Sequence, residues 1–365
     1  MIGRYLRGLF HAAVEGWNRF WFSSADPASL AVIRISIGLL LVYSHAVWAL
    51  HSGSFFGADA WLNADAVSAI QADGYLISAL WWADGSPTIM TIVHGVALVN
   101  ALLLMFGLWS RVAAPVAFLL TVSFANRNHA ALYGFDQVLG FATLYLCVNP
   151  GNGWLSIDKW RAFKRWEKFA DFQGLRDSEI VVSRPSISAN IATRLIQLHL
   201  CLIYLVAGLA KLKGAAWWSG VAFWGAIGNL EYQTLDMIWL VEWPMIVSLL
   251  TMSALAWEIS YAALIWNRWT RPLVLAFGVM VHAGIAICFG MMTFGLAMIA
   301  ANVAFVSPGM IRLLFDRKDV DPWAAALQRP SRQQFSERPT VAALVGTTLN
   351  QAADSFEREP VGLKS

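Results

Sequence analysis

The feature that most limits this chain is the repetition of apolar runs about twenty residues long, each ended by a polar turn. At about 1.5 Å of rise per residue, a helix of that length crosses a hydrocarbon core about 30 Å thick. Within lipid, every backbone N–H and C=O must be bonded inside the protein, so a run of this kind crosses as a helix. Charged residues make up 13% of the 365 and hydrophobic ones 58%. A soluble domain carries roughly 25% charged residues. The expected class is therefore all-α: a polytopic integral membrane helical bundle. Nineteen Trp suit the headgroup level. The net charge of +3 is small, and no nucleic-acid partner is expected.

Taken in order, residues 1–25 read as an amphipathic helix lying in the membrane interface, with Arg4, Arg7 and Arg19 interrupting any signal-type apolar core. Asp26-Pro27 is a helix start, Asp capping and Pro at the first helical position. Spans are expected near 28–50, 87–109, 112–124, 138–148, 191–212, 243–266, 272–288 and 291–306, about eight in all. Residues 26–315 thus form the transmembrane domain, with a polar, basic loop at 149–190, and 316–365 read as a tail largely without fixed structure. Basic residues concentrate at the N-terminus, the 109–112 turn, the 149–190 loop, the 267–271 turn and the tail. The positive-inside rule puts these in the cytoplasm. The expectation is a multi-pass cell-membrane protein with both termini and the 149–190 loop cytoplasmic. The segment after span three and the end of span five then share the outer side.

Ionisable groups inside spans are costly and default to functional candidates. Arg34 lies about two turns into the first span, within snorkelling reach of the inner surface. Glu258 and His282 sit at similar depths, roughly 12 and 16 Å from the inner ends of antiparallel neighbours. That spacing predicts a Glu–His pair, structural or supporting a site. Tyr204 and Lys211 are seven residues apart on one helix face, and Gly208 between them admits a close neighbour. Lys211 reads either as an interfacial anchor or as an amine in an apolar pocket that serves as a base. His129, after Asn128, is open in the same way. Cys147, Cys201 and Cys288 lie far apart in apolar runs and read as buried free thiols. No metal-ligand spacing, phosphate loop or nucleophile elbow is present, and no metal is expected.

Three stretches in order resemble the integral membrane domain of the vitamin K-dependent gamma-carboxylases, the horizontally transferred transmembrane (HTTM) family. They are Asp26-Pro27-Ala28-Ser29-Leu30-Ala31-Val32-Ile33-Arg34, Asn128-His129-Ala130-Ala131-Leu132-Tyr133-Gly134, and Tyr204 to Leu212. The resemblance implies a site that oxidises vitamin K hydroquinone, or another quinol, with O2. In carboxylases of the family, CO2 then adds to a glutamate carbanion. It implies Lys211 as the base and His129 as the second proton-transfer group. Asn128, Tyr133 and Tyr204 would then bind the ligand, and Arg34, Glu258 and His282 would be intramembrane support. The family's carboxylases carry a large extramembrane domain after the last span, whereas about 58 residues follow Ser307 here, and their lysine pair is Ala210-Lys211. A second reading is a non-catalytic membrane module. It would bind a quinone, a lipid or a soluble partner protein.

Overall fold

The computed structural model describes residues 2–56, 86–127, 131–173, 185–231 and 233–315, with isolated positions between 60 and 80. Asn128, His129 and the 316–365 tail lie outside the described residues. The described elements are helices: α1 (Ile2–Phe22), α2 (Ala28–Leu50), α3 (Ser52–Phe56), α4 (Pro87–Phe106), α5 (Ser110–Arg127), α6 (Gly134–Val148), α7 (Ile157–Gln173), α8 (Ile187–Lys211), α9 (Ala215–Trp218), α10 (Ala222–Ile227), α11 (Pro244–Leu264), α12 (Arg271–Cys288), α13 (Met292–Asn302) and α14 (Pro308–Phe315). No strand occurs among them. The chain divides into one unit of residues 1–312 and a second, 313–365, of which only Leu313–Phe315 are described.

The described residues do not confirm the expected count of eight spans. Among the described residues, five helices, α2, α4, α8, α11 and α12, are long and apolar enough to cross a membrane. The count rises to six if Met292–Phe305 and Pro308–Phe315, bent by 115°, are one span. The other two expected spans also form helices, but of another kind. Helix α5 has 18 residues and carries Arg111, Thr121, Ser123, Asn126 and Arg127. Helix α6 has only 15 residues, about 22 Å of rise. Polar content and length, rather than loss of helix, take these two out of the count.

Helix ends follow their capping chemistry. Helix α2 begins at Ala28, with Pro27 just before its first turn rather than in it, and Asp26 accepts the Ala28 N–H at 2.9 Å. The same carboxylate holds Arg312 at 2.8 and 2.9 Å. Ser86 and Ser186 cap α4 and α8 through their side chains. Asn190 on α8 donates to the carbonyls of Phe20 and Trp21 at 2.7 and 2.9 Å. These are orphan carbonyls at the end of α1, so α8 fixes where that helix stops.

A core of residues such as Leu30, Ile37, Leu104, Leu139, Leu146, Ile196, Leu200, Tyr261 and Met298 joins α2, α4, α6, α8, α11 and α13. Arg34 is buried inside it at 0% exposure rather than snorkelling. Its Nη1 donates to the Leu104 carbonyl at 3.2 Å and its Nη2 to Leu155 at 2.6 Å. The guanidinium thereby ties α2 to the C-terminal end of α4 and to the chain entering α7. Gly107, with φ 68°, ends α4 beside it. A Cβ at Gly107 would collide with the Arg34 guanidinium, so glycine serves both the left-handed turn and the space.

Candidate functional site

Lys211 is the last residue of α8. Its Nζ donates to both oxygens of Glu258 on α11, at 2.8 and 2.6 Å. The side chains are 26% and 15% exposed, so the pair is reachable yet largely withdrawn from water. Trp217 covers the ammonium at 5.3 Å from its ring centroid. Trp218 donates from its indole to the Leu212 carbonyl at 2.7 Å, fastening the tryptophan turn to the end of α8. The close approach of α8 and α11 comes from Gly208. A Cβ there would meet Ile259 at 2.8 Å and the Glu258 Cβ at 3.3 Å.

The expected Glu258–His282 pair is not formed, because Glu258 bonds Lys211 instead. Successive helix positions point about 100° apart. Trp257 takes the direction toward α12, donating to the Val274 carbonyl at 3.1 Å, and Glu258 is left facing α8. His282, 4% exposed, is bonded through Nε2 to the Tyr204 hydroxyl at 2.7 Å. That hydroxyl accepts from Asn302 Nδ2 at 3.0 Å, and Tyr261 donates to Asn302 Oδ1 at 2.6 Å. Four helices, α8, α11, α12 and α13, thus share one buried polar network. Tyr204 is 3% exposed and its hydroxyl is occupied, so in this arrangement it faces the network and not a ligand groove.

Residues 181–309 match the HTTM domain. The chain is similar to that family over a segment holding Tyr204, Lys211, Glu258, Tyr261, His282 and Asn302. Arg34, Asn128, His129 and Tyr133 fall outside the matched residues. No curated protein and no solved structure matches the chain.

Tyr133 stands apart from the lysine. It precedes α6, and its hydroxyl meets Thr293 Oγ1 at 2.6 Å. Burial pushes its phenol above the ordinary value, partly offset by the hydrogen bond to Thr293. Two grooves flank it. One of about 300 Å³ is lined by Tyr43, Ser44, Trp48, Tyr133, Asp136 and Thr293 among others. One of about 370 Å³ is lined by Thr121, Asn126, Tyr133, Asp136 and Gln137 among others. Neither lining includes Lys211 or Glu258. The first groove meets the HTTM segment at Gly290, Met292 and Thr293. Phe294 packs against Gly134 and against the His282 ring, centroids 5.9 Å apart.

The structure therefore brings Lys211 to Glu258, Tyr204 to His282, and Tyr133 to Thr293. Asn128 and His129 lie outside the described residues, and Arg34 is a distant structural clamp. Asn302, Tyr261, Thr293 and Asp136 were missed in the sequence. Asn302 could have been found, since an amide inside an apolar run needs partners in lipid. Thr293 carried no such signal. Among the described residues, no group of three or more His, Cys, Asp or Glu is placed to hold a metal ion.

Proposed function

We propose that this membrane protein carries a gamma-carboxylase-like, quinol-reactive site at the outward end of α8, with Lys211 as its base. The observation that carries the reading is the Lys211–Glu258 pair: a partly open ammonium–carboxylate contact at 2.6–2.8 Å, at the lysine position of the family motif. The donor set fits a quinol, which needs a proton acceptor beside aromatic surfaces, here Trp217. When bound, a quinol would supply two electrons and two hydroxyl protons to O2; vitamin K hydroquinone is the member of this class the family uses, with CO2 as its co-substrate.

The chain's own part is proton handling. A bound quinol that covers this partly exposed pair would strip its remaining water and raise the desolvation penalty on both ions, offsetting much of their attraction. Passing one proton from Lys211 Nζ to a Glu258 oxygen removes both charges and leaves a neutral amine. That amine accepts a hydroxyl proton, and Glu258 holds the one displaced. Tyr204, His282, Asn302 and Tyr261 keep α8 and α11 in register beneath the pair. His129 is assigned the second proton transfer and Asn128 ligand binding on the motif alone. Quinol-dependent O2 uptake by the purified, reconstituted protein tests the assignment. Lys211→Ala should abolish it, and a wild-type rate in that variant would remove Lys211 from the role.

A second reading is a non-catalytic module for a quinone or lipid, or for a partner protein. The grooves around Tyr133 favour it, because they are roomy and have no lysine in their linings. It predicts ligand-induced thermal stabilisation without O2 uptake, lost in Tyr133→Phe.

A further inference from the structure

Tyr133 stands between two grooves, and their linings together suit one kind of ligand. Tyr133 and Asp136 line both. The groove of about 300 Å³ adds Tyr43 and Trp48, from the last turns of α2, and Thr293 at the start of α13. The groove of about 370 Å³ is walled mainly by carbon, with Val122, Ala125 and Leu132 in its lining. Asp136 is the one acid in these linings, and they hold no Lys, Arg or His. Its partly buried carboxylate accepts the Tyr133 N–H at 3.1 Å, and among the described residues no cation pairs with it. A carboxylate drawn out of water without a counter-charge carries a desolvation cost that a bound cation removes. The aromatic groups beside it are held in place. The Tyr133 hydroxyl is tied to Thr293 at 2.6 Å, and Trp48 lies on Phe124 with ring centroids 5.5 Å apart. Tyr43 and Tyr133 are nevertheless 56% and 42% exposed, so ring surface is left for a ligand.

We propose that these grooves take a zwitterionic lipid, its ammonium headgroup set among Tyr43, Trp48 and Tyr133 against Asp136, and its chain along the apolar groove. Aromatic faces attract an alkylammonium through the ring quadrupole, most strongly where water is excluded. The carboxylate adds a full opposite charge in the same space. An anionic ligand would meet that carboxylate and find no basic side chain in either lining. A neutral quinone would use the rings but leave the carboxylate uncompensated. Position agrees with charge. The first groove gathers the end of α2 and the starts of α6 and α13, one end of the bundle, where lipid headgroups lie. The proposal rests on the second reading above, whose ligand it names, and does not depend on Lys211.

The test is binding to the purified full chain in a maltoside detergent, read by native mass spectrometry and thermal unfolding. The probes are dihexanoyl phosphatidylcholine, dihexanoyl phosphatidylglycerol, choline and a short-chain ubiquinone. The phosphatidylcholine should bind about tenfold or more tighter than the phosphatidylglycerol, which has the same chains and phosphate but no ammonium. Asp136→Asn should remove that preference. So should Tyr43→Leu, at an exposed position that leaves the cap of α6 intact. Choline should compete only weakly, because it leaves the apolar groove empty; choline that binds as well as the lipid overturns the assignment to a lipid. Equal binding of the two lipids overturns the proposal, as does an unchanged preference in Tyr43→Leu. Tight quinone binding without a lipid preference overturns it too, while leaving the second reading in place. Absence of binding by every probe removes both the proposal and the ligand-binding form of that reading.

Discussion

At the scale of single residues, three charges inside this bundle are each met by a partner. Arg34 has two carbonyls, Arg312 has the Asp26 carboxylate, and Lys211 has Glu258. The Asn302 amide does the same for neutral groups, serving the Tyr204 and Tyr261 hydroxyls at once. Asn302→Leu should therefore cost about 1–3 kcal/mol, because the buried Tyr261 hydroxyl loses its Asn302 partner while Tyr204 keeps His282. The measurement is thermal or denaturant unfolding in detergent. A change within about 0.5 kcal/mol, the range of a surface substitution, would show that the network does not bind the four helices together. These roles were legible only in part. An Arg, Glu or His in an apolar run announces itself, but its partner does not. Glu258 and His282 looked like mates because their depths agree. Depth says nothing of azimuth, and Trp257 settles the azimuth by filling the side toward α12.

At the scale of elements, the contact that makes the lysine site is the α8–α11 crossing at Gly208. Helix–helix association in lipid relies on close backbone approach, which small residues permit. Gly208→Val should force the helices apart against Ile259 and Glu258. The expected outcome is loss of the Lys211–Glu258 bond, and with it quinol-dependent O2 uptake, while Gly208→Ala is milder. Equal activity in both variants and wild type would mean that this crossing does not set the site. All eight apolar runs were legible as helices from their length and composition. What the sequence could not reveal was which of them span. Helix α5 keeps helical order to Arg127 although its last turns are polar, and α6 stops at Val148 after 15 residues. Helix type is fixed by local bonding, whereas spanning depends on how polar positions are shielded by neighbours.

At the scale of the whole molecule, the charge pattern and the helix count make a joint statement. Basic residues cluster at the 109–112 and 267–271 turns, and the tryptophan-rich 213–242 segment is poor in them. If the positive-inside rule holds, single cysteines at the exposed Trp109 and Asn267 should be labelled only from the cytoplasmic side, and one at Leu230 only from the outside. Labelling of Asn267 and Leu230 from the same side would reverse the placement of the lysine pair. The match to the HTTM domain covers 181–309, while the grooves around Tyr133 lie largely on helices before it. The two parts are joined through α2 and α6 packing on α8 and α13 in one core. The membrane class was therefore open to a reader of the sequence, as was the lysine. The carboxylate beside it was visible only as an unassigned charge.

The central claim is that Lys211 and Glu258 act as one proton-exchanging unit. Quinol-dependent O2 uptake by reconstituted wild type, Lys211→Met, Glu258→Gln and the double variant tests it most directly. Each single change should lower the rate by about 10²–10⁴-fold, the usual share of a positioned base. The double change should then cost little more, because residues acting as a unit are not additive. A Glu258→Gln rate equal to wild type, or single losses that multiply in the double variant, would contradict the account.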